Sequence, residues 1–253
     1  MTNALIFDCD GVLADTELDG HLVAFNQTFE ELGFPFRWTA EEYSHLLKVG
    51  GGKERMRHYL GQHPELELAS APDLDEKVAE THKRKSEIYV ELVEAGKLPG
   101  RPGVRRIIAE VLDAGWKVAV ASTSAERSVR AVLRNVIGED LYARVSGVWA
   151  GDVVPAKKPA PDIYNLAVAE LGIDKADAVV VEDSESGAKA AAAAGITHVV
   201  TLSHFTQNDP FPDAAIVVSH LGEADNPAEV RAGDDVRSNG VIDLESLKKL
   251  LAA

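Results

Sequence analysis

The stretch LIFDCDGVLADTE, residues 5–17, decides the fold. An apolar run stops abruptly at Asp8 and Asp10, with Gly11 immediately behind them. Two like charges this close oppose each other's ionisation. At the end of a buried strand, such a pair implies a bound cation, or chemistry that needs one acid protonated.

Working outward, short apolar runs alternate with amphipathic helical segments. The strand candidates are residues 4–8, 116–122, 147–151, 178–183, 198–202 and 215–219. Continuous β-branched runs of this kind suit parallel strands buried on both faces. Helical segments lie near 103–114, 125–136, 161–171 and 185–194, several ending at a glycine (Gly115, Gly172, Gly195). The alternation predicts an α/β fold with a doubly wound, Rossmann-like parallel-sheet core. Residues 17–97 break the pattern. They hold helical stripes, among them Leu18, Leu22, Phe25, Phe29 and Leu32, then Val78, Ile88, Tyr89, Leu92 and Val93. The expected organisation is an α/β core from 1–16 and 98–253, with an α-helical domain inserted at 17–97. Residues 96–103, GKLPGRPG, form the return linker. From about Leu221 the tail reads as an acidic loop that ends in a short helix.

Composition narrows the function classes. The chain has 253 residues, is 45% hydrophobic and carries a formal charge of −15. So acidic a surface argues against a nucleic-acid partner, whose affinity rests on Lys and Arg. No apolar run approaches the roughly 20 residues of a membrane span. The single cysteine, Cys9, excludes an intrachain disulfide and fits a reducing compartment. The start shows neither a signal nor a transit peptide, so the expected location is the cytoplasm, or the chloroplast stroma for a mature plant form.

Three of the strands end alike, at Asp8, Ser122 and Asp183. Open α/β sheets bind ligands outside the carboxyl ends of their strands, so these ends can face one another. Lys158, in AKKPAPDIY, adds a cation, and Glu182 precedes Asp183. Carboxylates flanked by anion-binding groups fit Mg²⁺ together with a phosphate, because Mg²⁺ prefers oxygen ligands and commonly shares them with phosphate.

The stretches FDCDGVLADTE, VASTS, KKPAPDIY and VEDSESG resemble, as an ordered set, the haloacid dehalogenase superfamily in its phosphatase and mutase branch. The resemblance implies that Asp8 is the nucleophile and Asp10 the general acid/base. Ser122, Thr123, Ser124 and Lys158 hold the phosphoryl group. Asp183, with Glu182 nearby, holds Mg²⁺ alongside the Asp8 side chain and the Asp10 backbone carbonyl. The presence of Asp10 argues for phosphate over halide chemistry, since a halide leaves without a proton.

The inserted helices resemble the substrate-selecting cap of that superfamily. In VGGGKERM, residues 49–56, three glycines precede Lys53 and Arg55 at an expected helix start, a composition suited to an anion. It is not a Walker loop, since G-x-x-x-x-G-K-[ST] is absent. In THKRK, residues 81–85, His82 and Lys85 fall in line with the apolar stripe. Basic residues in line with such a stripe either enter an interface or snorkel at its rim. Two basic clusters besides Lys158 suggest a substrate with a second phosphate. At this level the chain resembles the CbbY-type proteins, Mg²⁺-dependent phosphatases of the Rubisco inhibitor xylulose-1,5-bisphosphate. That likeness implies substrate-binding positions at Glu17, Tyr43, Gly51, Gly52, Lys53, Glu54, Arg55, His82, Lys83, Arg84 and Lys85. The expected partner is a small phosphorylated sugar, with no nucleic acid or membrane, and the expected state is a monomer. The alternative is a mutase of the β-phosphoglucomutase kind, in which Thr16 and His21 lie where Asp10 is held until sugar binds.

Overall fold

The strand-forming runs pair into one sheet in a computed structural model that describes residues 2–49 and 51–252. The strands are β1 (Ala4–Phe7), β2 (Lys117–Ser122), β3 (Gly147–Ala150), β4 (Ala178–Glu182), β5 (Thr197–Thr201), β6 (Ile216–Val218) and β7 (Val230–Gly233). Their order is β3-β2-β1-β4-β5-β6-β7. All neighbours are parallel except β6 and β7. The chain thus winds outward from β1 in one direction through β2 and β3, then restarts at β4 on the other side. The topological switch point falls between β1 and β4, where a doubly wound sheet opens a crevice beyond its strand ends. Every residue of β1 and β4 is buried, as strands covered on both faces require.

The registers bring the strand ends level. Phe7 pairs with Val120 and with Val181, and the Asp8 N–H donates to Val181 O at 2.9 Å. The covering helices are α5 (Val104–Asp113), α6 (Glu126–Tyr142), α7 (Asp162–Leu171) and α8 (Glu185–Ala194), and α9 (Leu244–Ala252) closes the chain. The predicted helix near 125–136 is longer than expected because the chain resumes helix beyond a kink at Gly138, whose φ of 82° only glycine adopts readily. The tail expected to be a loop contributes the antiparallel edge strand β7. Its residues are mostly exposed, so they carry none of the apolar alternation that marks a strand.

By contact, 1–15 with 98–253 forms one unit and Thr16–Lys97 another, so Thr16 groups with the helices. The helical unit opens with a π-helical turn (Thr16–Leu22) and continues through α1 (Val23–Glu31), α2 (Ala40–Leu46), α3 (Gly52–Gln62) and α4 (Leu74–Glu94). Phe25, Phe29, Trp38 and Tyr43 make its aromatic core, and Asn26 fastens Trp38 by bonds of 2.9 and 2.8 Å to the Trp38 backbone. Leu32, expected in the apolar stripe, is instead 47% exposed at the C-cap of α1, where the stripe has ended. No helix among the described residues is long and apolar enough to cross a membrane.

Candidate active site

Asp8 is the first residue beyond β1, and Glu182 and Asp183 stand at the corresponding end of β4. All three carboxylates are buried, and they offer oxygen atoms that lie within 4.8 Å of one another. Gly11 makes this approach possible. A Cβ there would lie 2.0 Å from Asp183 Oδ2, and its φ of +74° is strained for any L side chain. Gly187 does the same for Glu182, whose carboxylate would meet a Cβ at 2.0 Å.

Lys158 reaches into this cluster from the loop before α7. Its Nζ donates to Asp8 Oδ1 and to Glu182 Oε1, each at 2.6 Å, and to the Ala121 carbonyl at 3.1 Å. The second Glu182 oxygen accepts the Asp183 N–H at 3.1 Å and lies 3.5 Å from the Ser184 hydroxyl. Tyr164 also donates its hydroxyl to Glu182 Oε1. Burial, opposed by Lys158 and reinforced by Glu182 and Asp10, pushes Asp8 up to about 7. Burial, with Glu182 and Asp8, pushes Asp183 well above the usual carboxylate range. Burial alone would lower Lys158, but Asp8 and Glu182 outweigh it and hold the amine charged.

These residues fit a hard divalent cation. Crowded buried carboxylates resist ionisation together, an all-oxygen donor set suits such an ion, and a bound cation would relieve the repulsion. The Asp10 carboxylate accepts the Ser124 hydroxyl, and its charge also helps raise Asp8. Ser122, buried at the end of β2, accepts the Ser124 N–H at 3.2 Å, so residues 122–124 form a tight turn beside Asp10. Thr123, within that turn, is half-buried. The five core positions singled out from the sequence all fall in one unit: Asp8, Asp10, Ser122 and Asp183 at or just beyond strand ends, and Lys158 in the loop before α7.

The helical unit sorts its predicted residues differently. Tyr43 donates to Glu17 at 2.7 Å and accepts from Arg55 at 2.6 Å, and Arg55 also donates to Leu46 O at 3.2 Å. Arg55 is buried in that network, 3.9 Å from Glu17. Lys85 is buried too, with Nζ 2.8 Å from His21 Nδ1 and 4.8 Å from the Phe25 ring centroid. His82 is half-buried and packs on Gly52, where a Cβ would meet its ring at 2.6 Å. Lys53 and Lys83 are exposed, and Arg84 turns to Glu31 and Glu91 at 2.7 and 3.0 Å. Gly51 precedes α3 with φ +90°, and Glu54 Oε2 lies 2.3 Å from where its Cβ would stand, so a carboxylate already rests on the glycine loop. Gly50 of that loop lies outside the described residues.

Two residues at the core site carried no assigned role in the sequence. Tyr164 sits inside the quoted KKPAPDIY, at the start of α7. Arg101 belongs to the return linker. It donates to the carbonyls of Gly11, Thr201, Leu202 and Ser219, while its own N–H reaches Leu13 O at 2.9 Å. It thereby ties the loop that carries Asp10 to the ends of β5 and β6.

Comparison with known proteins agrees with this geometry. The family model for haloacid dehalogenase-like hydrolases matches residues 2–195. A CBBY-like protein of Arabidopsis thaliana is 45% identical over 225 residues, 88% of this chain and 70% of that protein. The plasmid-borne CbbY of Cupriavidus necator is 42% identical, over 88% of this chain and 87% of its own. A crystal structure of CbbY from Rhodobacter sphaeroides in complex with xylulose-1,5-bisphosphate superposes with a TM-score of 0.73 at 38% identity, covering 88% of this chain and 96% of that one. The chain belongs to the haloacid dehalogenase-like hydrolase family, and within it to the CbbY-like phosphatases.

Proposed function

We propose that the protein is a Mg²⁺-dependent sugar-bisphosphate phosphatase that works through an aspartyl-phosphate, with xylulose-1,5-bisphosphate as its substrate. One observation carries the chemical part: a buried carboxylate, Asp8, meets both an ammonium, Lys158, and a second carboxylate, Asp183, at the switch point of the sheet. The bisphosphate part rests on likeness to CbbY of Rhodobacter sphaeroides, which has been crystallised with that sugar.

In this reading Asp8 attacks the phosphorus and becomes the acyl phosphate, which divides one difficult hydrolysis into two transfers. Lys158 and the turn at Ser122–Ser124 hold the phosphoryl oxygens. Asp10, held by Ser124, gives a proton to the leaving sugar oxygen and later takes one from the attacking water. Asp8, Asp183 and the Asp10 backbone carbonyl would hold Mg²⁺, with Glu182 beside them. The bound ion would neutralise the charge that separates two anions. In the helical unit Lys53, exposed at the start of α3, is a cation open to a second phosphate, whereas Arg55 and Lys85 are buried against partners of their own.

A phosphate-release screen over ketose bisphosphates and monophosphates, with Mg²⁺ or with chelator, tests the proposal. Stoichiometric free phosphate from xylulose-1,5-bisphosphate, dependent on Mg²⁺, is the expected result. Isomerised monophosphate with no phosphate released would instead establish the mutase alternative.

A further inference from the structure

Tyr164 lies in the first turn of α7, fully buried among Ile6, Ala119, Ala121 and Val180. Its hydroxyl is the one polar group it brings to this apolar layer, and it is spent on Glu182 Oε1. That oxygen is also the one Lys158 donates to, at 2.6 Å. The Lys158 ammonium lies 4.9 Å from the centroid of the Tyr164 ring. Tyr164 therefore touches the reactive lysine twice, by its ring face and through a shared counter-ion.

An ammonium has three N–H donors, and Lys158 commits them to Asp8, Glu182 and Ala121 O. To bind a phosphoryl oxygen it must release one of these bonds. An acceptor oxygen that serves two donors holds each less strongly than it would hold one. We infer that the Tyr164 hydroxyl is a positioning group: by sharing Glu182 Oε1 it loosens the Lys158–Glu182 pair and frees the ammonium for the phosphoryl group. The inference deepens the proposed function and rests on its assignment of Lys158 to that group. A hydroxyl that only satisfied a buried carboxylate would affect stability and nothing else.

Tyr164→Phe keeps the ring and removes the shared bond. Inorganic phosphate binding, measured by calorimetry with Mg²⁺ present, should weaken about tenfold, the scale of part of one hydrogen bond to a charged group. KM for a sugar bisphosphate and for p-nitrophenyl phosphate should rise together, while kcat changes less. Tyr164→3-fluorotyrosine, a stronger donor of nearly the same shape, should tighten phosphate and covers the case in which the phenylalanine variant does not fold. Unchanged phosphate affinity and KM in a folded variant, whatever its Tm, would overturn the inference and leave the phosphatase standing. A wild-type protein that neither binds phosphate nor hydrolyses the esters would overturn both.

Discussion

Gly11 and Asp183 are in contact across the switch point: a methyl group on Gly11 would stand 2.0 Å from Asp183 Oδ2. The glycine turns the chain behind Asp10 at φ +74° and leaves the space that the carboxylate occupies. Gly11→Ala must displace Asp183 or the turn itself. A misplacement of about 1 Å costs on the order of 10²-fold in rate. The expected result is a loss of that size in kcat/KM together with a raised Mg²⁺ requirement. Titration of activity against Mg²⁺ checks it, and an unchanged half-saturation would disconnect Gly11 from the metal group.

Asp8→Asn removes the proposed nucleophile while keeping its shape. Turnover should vanish, and no acid-stable, hydroxylamine-sensitive phosphoenzyme should form from labelled substrate. A residual rate of one tenth corresponds to only about 1.4 kcal/mol of barrier and would reject covalent catalysis at this residue.

Lys53 is exposed in the first turn of α3, so its removal is not expected to disturb packing. Lys53→Ala should raise KM for a sugar bisphosphate about tenfold, in line with one lost charge-assisted hydrogen bond. On p-nitrophenyl phosphate, which has no second phosphate, the change should stay near unity. Equal losses on the two substrates would show that Lys53 does not read the second phosphate.

What was legible in the sequence follows from the physics of each feature. The strand ends were readable because buried parallel strands are continuous apolar runs, and a carboxylate that ends such a run is conspicuous. Asp8 and Asp183 announced themselves in this way, and Ser122 did so as a hydroxyl at the end of a third such run. Arg101 did not, because all but one of its side-chain partners are backbone carbonyls 90 to 118 residues away, which leave no side-chain signature. Strand β7 was hidden for a related reason: an exposed edge pairs through its backbone and needs no apolar face. For the basic residues of the helical unit, spacing placed Lys85 in line with the apolar stripe. Only the fold shows it buried against His21 and Phe25 while Arg84, one residue earlier, binds surface carboxylates.

The Lys85–His21 contact leads to a prediction about pH. An ammonium only donates, so His21 Nδ1 accepts and the imidazole is neutral. Burial, followed by the charges of Lys85, Arg55 and His82, holds His21 well below its ordinary value, and the Tyr89 ring lies 4.0 Å away, tilted by 32°. In the unfolded chain a histidine takes up its proton near about 6.5, whereas the folded protein refuses it until much lower. Between those points the unfolded state binds more protons, so stability present above pH 6.5 is lost as pH falls. The slope from one such group is up to about 1.4 kcal/mol per pH unit. His21→Asn keeps an acceptor near the Nδ1 position and cannot be protonated. At pH 7.5 the variant should melt at or below the wild-type Tm. By pH 5.5 it should have gained about 2–4 °C on the wild type per kcal/mol of linkage removed. Parallel Tm curves from pH 7.5 to 5.5 would show that His21 takes its proton in the folded protein as readily as in the unfolded one, and the neutral acceptor assigned to Lys85 would be wrong.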